Sequence, residues 1–242
     1  RRMGALPLAV TPQSVWQEYP DLVLPSSAVP VHSPERSDAQ RLDALTTGRR
    51  KIRRGETLYR EGERFRYLHA VQSGSFKSTL ALPDGDEQVC SFQMAGQLLG
   101  LDGVADGHHA SSATALEDSE ISTLSYEQLN ELCGQSSGLQ RCVMRLISNE
   151  IVRSNQHVLL LGRLHSARRL ASFLLGQSQH LSTRGFSALE FHLKMTRGEI
   201  GSFLGMTLET VSRTFTELQQ QRLLTVERRH IVICSLEGLA LV

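Results

Sequence analysis

The sequence predicts an α+β protein in which an antiparallel β-roll is followed by a long helix and a small helical domain that ends in a β-hairpin. Three observations lead to this fold class. Apolar and polar residues alternate as in β-strands over residues 50–127, between regularly placed glycines. Between residues 135 and 164 the apolar residues recur at helical spacing, and two short amphipathic helices follow residue 196. At 242 residues the chain is long enough for two modest domains.

The beginning of the chain is set apart by proline. Six of the seven prolines lie within the first 34 residues, which show little periodicity. We therefore divide the chain into a proline-rich arm over residues 1–35, a β-roll over 36–135, a long helix over 136–165 and a C-terminal domain over 166–242.

The β-roll is predicted by short strand-like runs that recur roughly every ten residues between turn signals. The turns fall at glycines, and Asp84-Gly85 is a hairpin-turn signal. Such spacing is typical of a small antiparallel sandwich or roll. The clearest strand-like runs are residues 67–71, 76–80, 88–92 and 120–124.

The predicted long helix carries one apolar stripe along its length. A helix that links two domains cannot cover such a stripe within its own chain, so we expect a coiled-coil-like seam between two copies of the protein. Packing of the stripe against the roll alone is the competing interpretation. The predicted dimer residues are Leu139, Val143, Met144, Ile147, Ile151 and Val158.

Residues 196–219 read as two short helices joined by a tight turn. Thr196 is placed to N-cap the first helix, and Glu199, three residues on, completes a capping box. Gly205 is the predicted stop, because a residue without a Cβ adopts positive φ at little cost. Thr207 is a second N-cap. The second helix is expected to bury Leu208, Val211, Phe215 and Leu218.

The opposite face of the second helix carries a polar row. Arginine makes bidentate contacts with guanine, glutamate accepts from the cytosine amino group, and serine suits a base or a phosphate. A solvated face on an ordinary helical hairpin is the alternative, but the coincidence of cap, glycine stop and polar row favours recognition of a DNA major groove. The row consists of Glu209, Ser212, Arg213 and Thr216; Thr207 and Arg197, near the starts of the two helices, complete this part of the candidate DNA-binding set.

A β-hairpin follows the second helix, because two β-prone runs at 223–226 and 231–233 flank a polar tip. Helix, turn, helix and hairpin together make a winged helix-turn-helix, in which Arg228 and Arg229 at the tip would lie near the DNA backbone. From residue 163 onward ten Lys and Arg stand against six Glu, a net charge of +4, whereas residues 1–162 carry −3. This modest positive charge leads us to expect a dimer that reads two half-sites.

Composition and motifs exclude other classes of protein. No run approaches the roughly 18 apolar residues of a membrane span, and no signal-peptide pattern is present, so we expect a cytoplasmic protein without membrane contact. The sequence holds no P-loop, no HExxH motif and no nucleophile elbow, so an enzyme is not predicted.

Taken together, these features resemble the CRP/FNR family of bacterial transcription regulators, and within it the FNR branch. The most specific segments are Ser73-Gly74, GDEQ at 85–88, GHH at 107–109, MTRGEIGSFLG at 195–205 and the E-x-x-S-R arrangement at 209–213. The resemblance implies a cyclic-nucleotide-binding-like roll and a homodimer. It further implies that Glu209, Ser212 and Arg213 read a TTGAT-like half-site, and that RNA polymerase contacts Asp84, Gly85, Asp86 and Arg184.

The family pattern is interrupted where an iron–sulfur cluster would be held. FNR regulators hold a [4Fe–4S] cluster with three cysteines near the N-terminus and one in the roll, but the arm has no cysteine and the roll position reads Ser122. A cluster requires thiolate ligands, so we expect no cluster, no other cofactor and no metal. The four cysteines, Cys90, Cys133, Cys142 and Cys234, fit no metal motif, and redox sensing by them is the less favoured interpretation.

Cyclic nucleotide binding is not expected either. That site needs a glutamate soon after a glycine and an Arg-Ser pair for the phosphate, but Gly100 is followed by Leu101-Asp102 and the pair reads Ser111-Ser112. The His108-His109 pair is interpreted as a polar loop tip rather than a haem or metal site. An effector- or haem-responsive sensor that binds an unidentified ligand in its roll is the alternative function.

Overall fold

The computed structural model describes the backbone of residues 46–242 and the burial of side chains from residue 48 onward. Among these residues the contacts group into two compact units, one of residues 46–155 with 194–208 and one of residues 156–193 with 209–242. The proline-rich arm and residues 36–45 of the predicted roll lie outside the described residues. The predicted fold class is confirmed, because a β-roll, a long helix and a winged helix-turn-helix are all present.

Within residues 46–125 eight strands form the roll, and every pairing among them is antiparallel. They are β1 (Thr46–Ile52), β2 (Thr57–Tyr59), β3 (Tyr67–Ser73), β4 (Ser75–Ala81), β5 (Glu87–Met94), β6 (Leu98–Leu99), β7 (Ser112–Ala115) and β8 (Ser119–Ser125). One sheet has the strand order β1-β8-β3-β6 and the other β2-β7-β4-β5. Gly74 joins β3 to β4 with φ 84°, and a Cβ there would lie 2.1 Å from the Ser119 Oγ, so only glycine fits.

The interior of the roll is apolar and closely packed. Phe76 and Ile121, from different sheets, are both 0% exposed. Burial of side chains of this size contributes about 1.5–3 kcal/mol each to folding. The cluster consists of Ile52, Tyr59, Val71, Phe76, Leu99, Ala113, Ala115 and Ile121.

The imidazole of His69 is buried beside this core. His69 in β3 is 9% exposed, and its Nδ1 lies 3.1 Å from the Thr123 Oγ1. Burial lowers the pKa of His69 to about 4, and the nearby charges of His109 and Arg50 act in the same direction. His69 is therefore neutral in the folded protein at any pH near neutrality.

We expect the protein to lose stability as the pH falls from 6.5 to about 4, the window between the ordinary and the lowered pKa of His69. In this window the unfolded chain binds a proton at His69 that the folded chain does not bind. One such proton changes the free energy of unfolding by about 1.4 kcal/mol per pH unit, which amounts to about 3 kcal/mol over the window. Urea unfolding of the wild type and His69→Asn, from about pH 7 to about pH 4.5, measures the difference. Equal pH slopes for the two proteins would contradict it.

Two helices follow the roll in the sequence. Ser125 caps α1 (Tyr126–Gln135) by accepting a hydrogen bond from the Gln128 backbone N–H. The long helix α2 (Ser137–Arg163) has 27 residues. A second hydrophobic cluster joins α1 and the first turn of α2 to the roll through Phe65, Leu68, Leu129 and Leu139.

The start of α2 differs from expectation. Leu139 is predicted to lie in a dimer seam, but it is 1% exposed and packs in the second cluster of its own chain. Val143 packs partly against the same cluster. Only Ser136 separates α2 from α1, so the first turn of α2 is held where α1 packs on the roll. The prediction for Leu139 is therefore wrong.

Beyond that start, α2 exposes an apolar stripe. Met144, Ile151 and Val158 are 60%, 56% and 69% exposed and lie seven residues apart. Val152 and Leu159 widen the stripe, while Ile147 is half-buried. Seven-residue spacing places the three side chains in one row along a helix. Within residues 48–242 this stripe remains exposed.

The second unit contains the remaining elements except α4 (Arg197–Leu204), which is grouped with the roll. These elements are α3 (Ser166–Thr183), β9 (Glu190–His192), α5 (Leu208–Gln220), β10 (Leu224–Glu227), β11 (His230–Ile233) and α6 (Leu236–Ala240). The three strands form a sheet in the order β10-β11-β9, and α3 packs against α6. Helices in the described part of the chain are too short or too polar to cross a bilayer.

Candidate DNA-binding surface

The first helix of the helix-turn-helix, α4, has the predicted ends. The Glu199 N–H donates to the Thr196 Oγ1 over 3.1 Å, and the Thr196 N–H donates to the Glu199 Oε2 over 2.7 Å. Gly205 follows with φ 60° and ends the helix in the left-handed conformation. The capping box and the glycine stop predicted from the sequence are both confirmed.

A contact between α4 and the roll could not be read from the sequence. Strand β5 is the edge of its sheet, and its Val89 N–H donates to the Ser202 Oγ over 2.8 Å. The Gln88 Nε2 donates to the Ser202 carbonyl oxygen, and the rings of Phe92 and Phe203 lie 5.1 Å apart. An edge strand needs partners for its free N–H groups, and α4 provides one of them.

An ion pair adds to this contact. The Lys77 Nζ lies 3.1 Å from the Glu199 Oε1, and each side chain is 20% exposed. Burial opposes ionisation of Glu199, but hydrogen bonds from Thr196 and Lys77 outweigh it and hold the pKa of this carboxyl below its ordinary value. The capping glutamate of α4 therefore also anchors the helix to the roll.

The second helix, α5, is strongly two-faced. Val211, Phe215 and Leu218 are buried as predicted, at 0%, 2% and 0% exposure. Leu208 is not buried, because it is the first residue of the helix and 53% exposed. Thr214, which is not predicted to be buried, is the fourth buried residue of the helix at 1% exposure. Its hydroxyl donates to the Thr210 carbonyl oxygen over 2.8 Å, so its polar atom has a hydrogen-bond partner.

The polar row lies on the open face of α5. Glu209, Arg213 and Thr216 are exposed, and Ser212 is half-buried. The Arg213 side chain is 71% exposed, and its Nε lies 3.7 Å from the Glu217 Oε1. The Thr216 hydroxyl donates to the Ser212 carbonyl oxygen over 3.2 Å. The row can therefore meet a nucleic acid without disturbing the buried face.

The other predicted DNA-binding residues flank this row in the sequence. Thr207 is exposed immediately before α5, and Arg197 is half-buried at the first residue of α4. Glu227 pairs with His230, so the tip of the wing is the two-residue turn Arg228-Arg229. Arg228 is exposed and Arg229 half-buried.

Two histidines pack next to the tip of the wing. The rings of His192 in β9 and His230 in β11 stack with centroids 4.5 Å apart. The His230 Nε2 lies 2.9 Å from the Glu190 Oε1. These contacts hold the start of β11 against β9, so the third strand of the sheet supports the hairpin directly beside its tip.

Arg228→Gly should leave the fold intact and weaken DNA binding several-fold. Arg228 has φ 57°, a left-handed conformation that costs a residue with a Cβ about 1–2 kcal/mol, so glycine should not lower the free energy of unfolding. Loss of one phosphate contact should reduce the salt dependence of binding by about one unit of slope. Arg222→Gly, at φ 60° after α5, is the matched control. Equal DNA binding by wild type and Arg228→Gly would show that Arg228 at the wing tip does not contact DNA.

Two exposed segments correspond to the predicted polymerase contacts. Asp84, Gly85 and Asp86 form the exposed turn between β4 and β5, which is closed by the Leu82 N–H donating to the Asp86 carbonyl oxygen over 2.8 Å. Arg184 is the exposed C-cap residue of α3.

The roll residue at the position where the resemblance implies a cluster ligand does not fit an iron–sulfur cluster. Ser122 in β8 is 8% exposed and offers a hydroxyl where a thiolate is required. Burial raises the pKa of the Cys90, Cys133 and Cys142 thiols, which favours the protonated form that binds metal poorly. No group of three or more His, Cys, Asp or Glu suited to a metal ion occurs in the described part of the chain.

The adjacent histidines of the roll separate in the structure. His108 is exposed, whereas His109 is 5% exposed and stacks on Tyr59 with ring centroids 3.7 Å apart. The expected polar loop tip therefore holds for His108 only, because the aromatic ring of Tyr59 draws His109 into the roll.

A roll, a long helix with an exposed heptad stripe and a winged helix with an exposed polar row define a DNA-binding transcription regulator. Comparison with known proteins agrees. The Crp-like helix-turn-helix domain matches residues 168–242 and the cyclic nucleotide-binding domain matches residues 49–136. The chain belongs to the CRP/FNR family of transcription regulators and is not an enzyme.

Individual relatives support this assignment. The chain is 38% identical over 203 residues to the fumarate and nitrate reduction regulatory protein of Salmonella typhimurium, covering 84% of this chain and 81% of the relative. For the protein of the same name from Vibrio cholerae the identity is 40% over 199 residues, with coverage of 82% and 80%. The structure of FixK2 from Bradyrhizobium japonicum superposes with a TM-score of 0.74 at 31% identity, covering 81% of this chain and 96% of that one.

Proposed function

We propose that this regulator acts in the cytoplasm as a homodimer that reads an inverted TTGAT-like repeat, contacts RNA polymerase and carries no iron–sulfur cluster. One observation carries the proposal: Glu209, Ser212 and Arg213 share the open face of a helix whose other face is buried. A helix with this division can enter a major groove and leave its packing unchanged.

Base reading is supported by the chemistry of the row. The Arg213 guanidinium is largely exposed, so it can present two donors to the O6 and N7 of a guanine. Glu209 lies one turn earlier on the same face, where its carboxylate can accept from a cytosine amino group. A G·C pair within the half-site offers both groups, and the E-x-x-S-R order resembles the FNR-type signature.

Dimerisation is supported by the apolar stripe of α2. Met144, Ile151 and Val158 repeat at the spacing of a coiled-coil seam and are more than half exposed. Apolar side chains in a continuous row are costly in water, and a second copy of α2 would bury them. Two copies also present two recognition helices, as an inverted repeat requires.

Polymerase contact is supported by apolar exposure beside the two candidate segments. Leu80 and Leu82, next to the Asp84–Asp86 turn, are each 40% exposed. Phe186, two residues after Arg184, is 63% exposed. Exposed apolar side chains rimmed by charge are typical of surfaces that bind other proteins.

The absence of a cluster is supported by the donor set. The sequence has no cysteine before Cys90, and the roll offers the hydroxyl of Ser122. Oxygen should therefore leave DNA binding unchanged.

Selection of bound duplexes from random sequence, with purified protein under air and under argon, tests these statements together. We expect the same inverted TTGAT-like repeat from both atmospheres and no iron by elemental analysis. Enrichment of an unrelated site would overturn the base-reading assignment. Iron in the protein, with binding lost in air, would overturn the cluster-free assignment.

A further inference from the structure

Three groups of the roll converge on one carboxylate. Asp102 lies in a 3-10 turn, Leu101–Gly103. Its Oδ2 accepts hydrogen bonds from both the N–H and the Oγ of Ser111, each over 2.9 Å. Its Oδ1 lies 3.5 Å from the Nδ1 of His109. The Asp102 side chain is 25% exposed and that of His109 only 5%, so this carboxylate is held mostly away from water.

The donors are positioned by residues other than Asp102. The His109 ring stacks on Tyr59 and meets the edge of Phe65 at 5.5 Å. The His109 N–H donates to the Glu63 carbonyl oxygen over 2.8 Å, and the Gly62 N–H donates to the His109 carbonyl oxygen over 2.8 Å. The His109 ring is therefore held by contacts that do not involve Asp102, and it lies beside the backbone N–H and the hydroxyl of Ser111.

The turn that carries Asp102 is seated tightly. Gly100 has φ 95°, and a Cβ there would lie 3.0 Å from the Tyr67 carbonyl oxygen. A Cβ on Gly103 would lie 2.6 Å from the Phe65 side chain. The glycines on both sides of Asp102 thus allow the close approach that delivers its carboxylate to Ser111.

We propose that the roll contains an anion-binding site whose resident ligand is the protein's own Asp102 carboxylate. The site consists of the Ser111 N–H and hydroxyl and the His109 ring. Preorganised donors of this kind bind carboxylates and other small oxyanions. An anionic effector at this position would have to displace Asp102 and would be repelled by its charge. The Asp102 carboxylate therefore excludes anionic effectors from this site. The site does not depend on the DNA-reading assignment.

Removal of the carboxylate should create a hole that a free carboxylate fills. We expect Asp102→Ala to lower the melting temperature by roughly 5–10 °C in chloride buffer, because buried donors lose their acceptor. Sodium formate should restore much of this loss with saturable concentration dependence, while sodium chloride at equal ionic strength should not. Asp106→Ala, an exposed aspartate of the same loop, is the matched control and should show no specific effect of formate.

Two further variants extend the test, and the first of them remains measurable if Asp102→Ala does not fold in chloride. Asp102→Asn retains an acceptor oxygen, so it should fold, melt between wild type and Asp102→Ala, and show no formate rescue. Asp102→Ala combined with Ser111→Ala should need several-fold more formate for the same rescue, because the hydroxyl donor is lost. Formate and chloride acting alike on Asp102→Ala would overturn the proposal, as would a rise in the wild-type melting temperature with cyclic AMP. Failure of the DNA selection would leave these melting results unaffected.

Discussion

A chain that carries both Ile151→Glu and Val158→Glu should be monomeric and should lose at least about 100-fold in affinity for an inverted-repeat site. Two carboxylates facing their counterparts across a coiled-coil seam repel each other and cannot be desolvated. Once the copies separate, the second half-site is no longer read by an attached partner, and such linkage contributes about 10²–10⁴ in affinity. Sedimentation and DNA titration of the same preparation measure both effects.

Because Ile151 and Val158 are exposed in the single chain, their substitution tests dimerisation separately from folding. Ile151 and Val158 are 56% and 69% exposed in the single chain, so the substitutions should not disturb its fold or its circular dichroism. Arg60→Glu, at an exposed position of the roll outside the stripe, is the control for added negative charge and should remain dimeric. A double variant that stays dimeric and binds DNA normally would mean that the stripe of α2 is not the seam.

Arg213→Ala should cost about 1–3 kcal/mol of binding free energy per half-site on the selected repeat, and Glu209→Ala a similar amount. The loss should be far smaller on unrelated DNA, because the contact is to base edges rather than to phosphates. Each variant should also lose discrimination at one base pair: it should bind a half-site changed at that base pair nearly as well as the unchanged half-site. The base pair at which discrimination is lost identifies the base that the substituted residue reads.

Salt dependence separates base reading from phosphate binding at Arg213. A phosphate contact adds about one unit to the slope of log K against log salt, whereas a base contact alters affinity at every salt concentration. Arg222→Ala removes an exposed arginine just after α5 and is the matched control. Equal losses on specific and unrelated DNA for Arg213→Ala would show that Arg213 contributes charge only.

Much of the candidate DNA surface could be predicted because it is encoded locally. The capping box of Thr196 and Glu199, the stop at Gly205 and the two faces of α5 each depend on residues within one or two turns of helix. The wing could be placed for the same reason, since its strands are neighbours in the sequence. The predicted burial of Leu208 is wrong. The apolar spacing of α5 extends to its first residue, but the neighbouring elements do not cover that residue.

The sequence by itself determined the order of the main elements, the capping box and glycine stop of α4, and the polar row of α5, because these follow from spacing along the chain. Only the tertiary structure decided that Leu139 packs inward, that Ser202 meets the Val89 N–H, and that Ser111 holds Asp102. Each of these depends on which surfaces of the roll are left to be covered. Residues 113 positions apart, such as Val89 and Ser202, have no common period, so their contact is set by the closure of sheets and the seating of helices upon them.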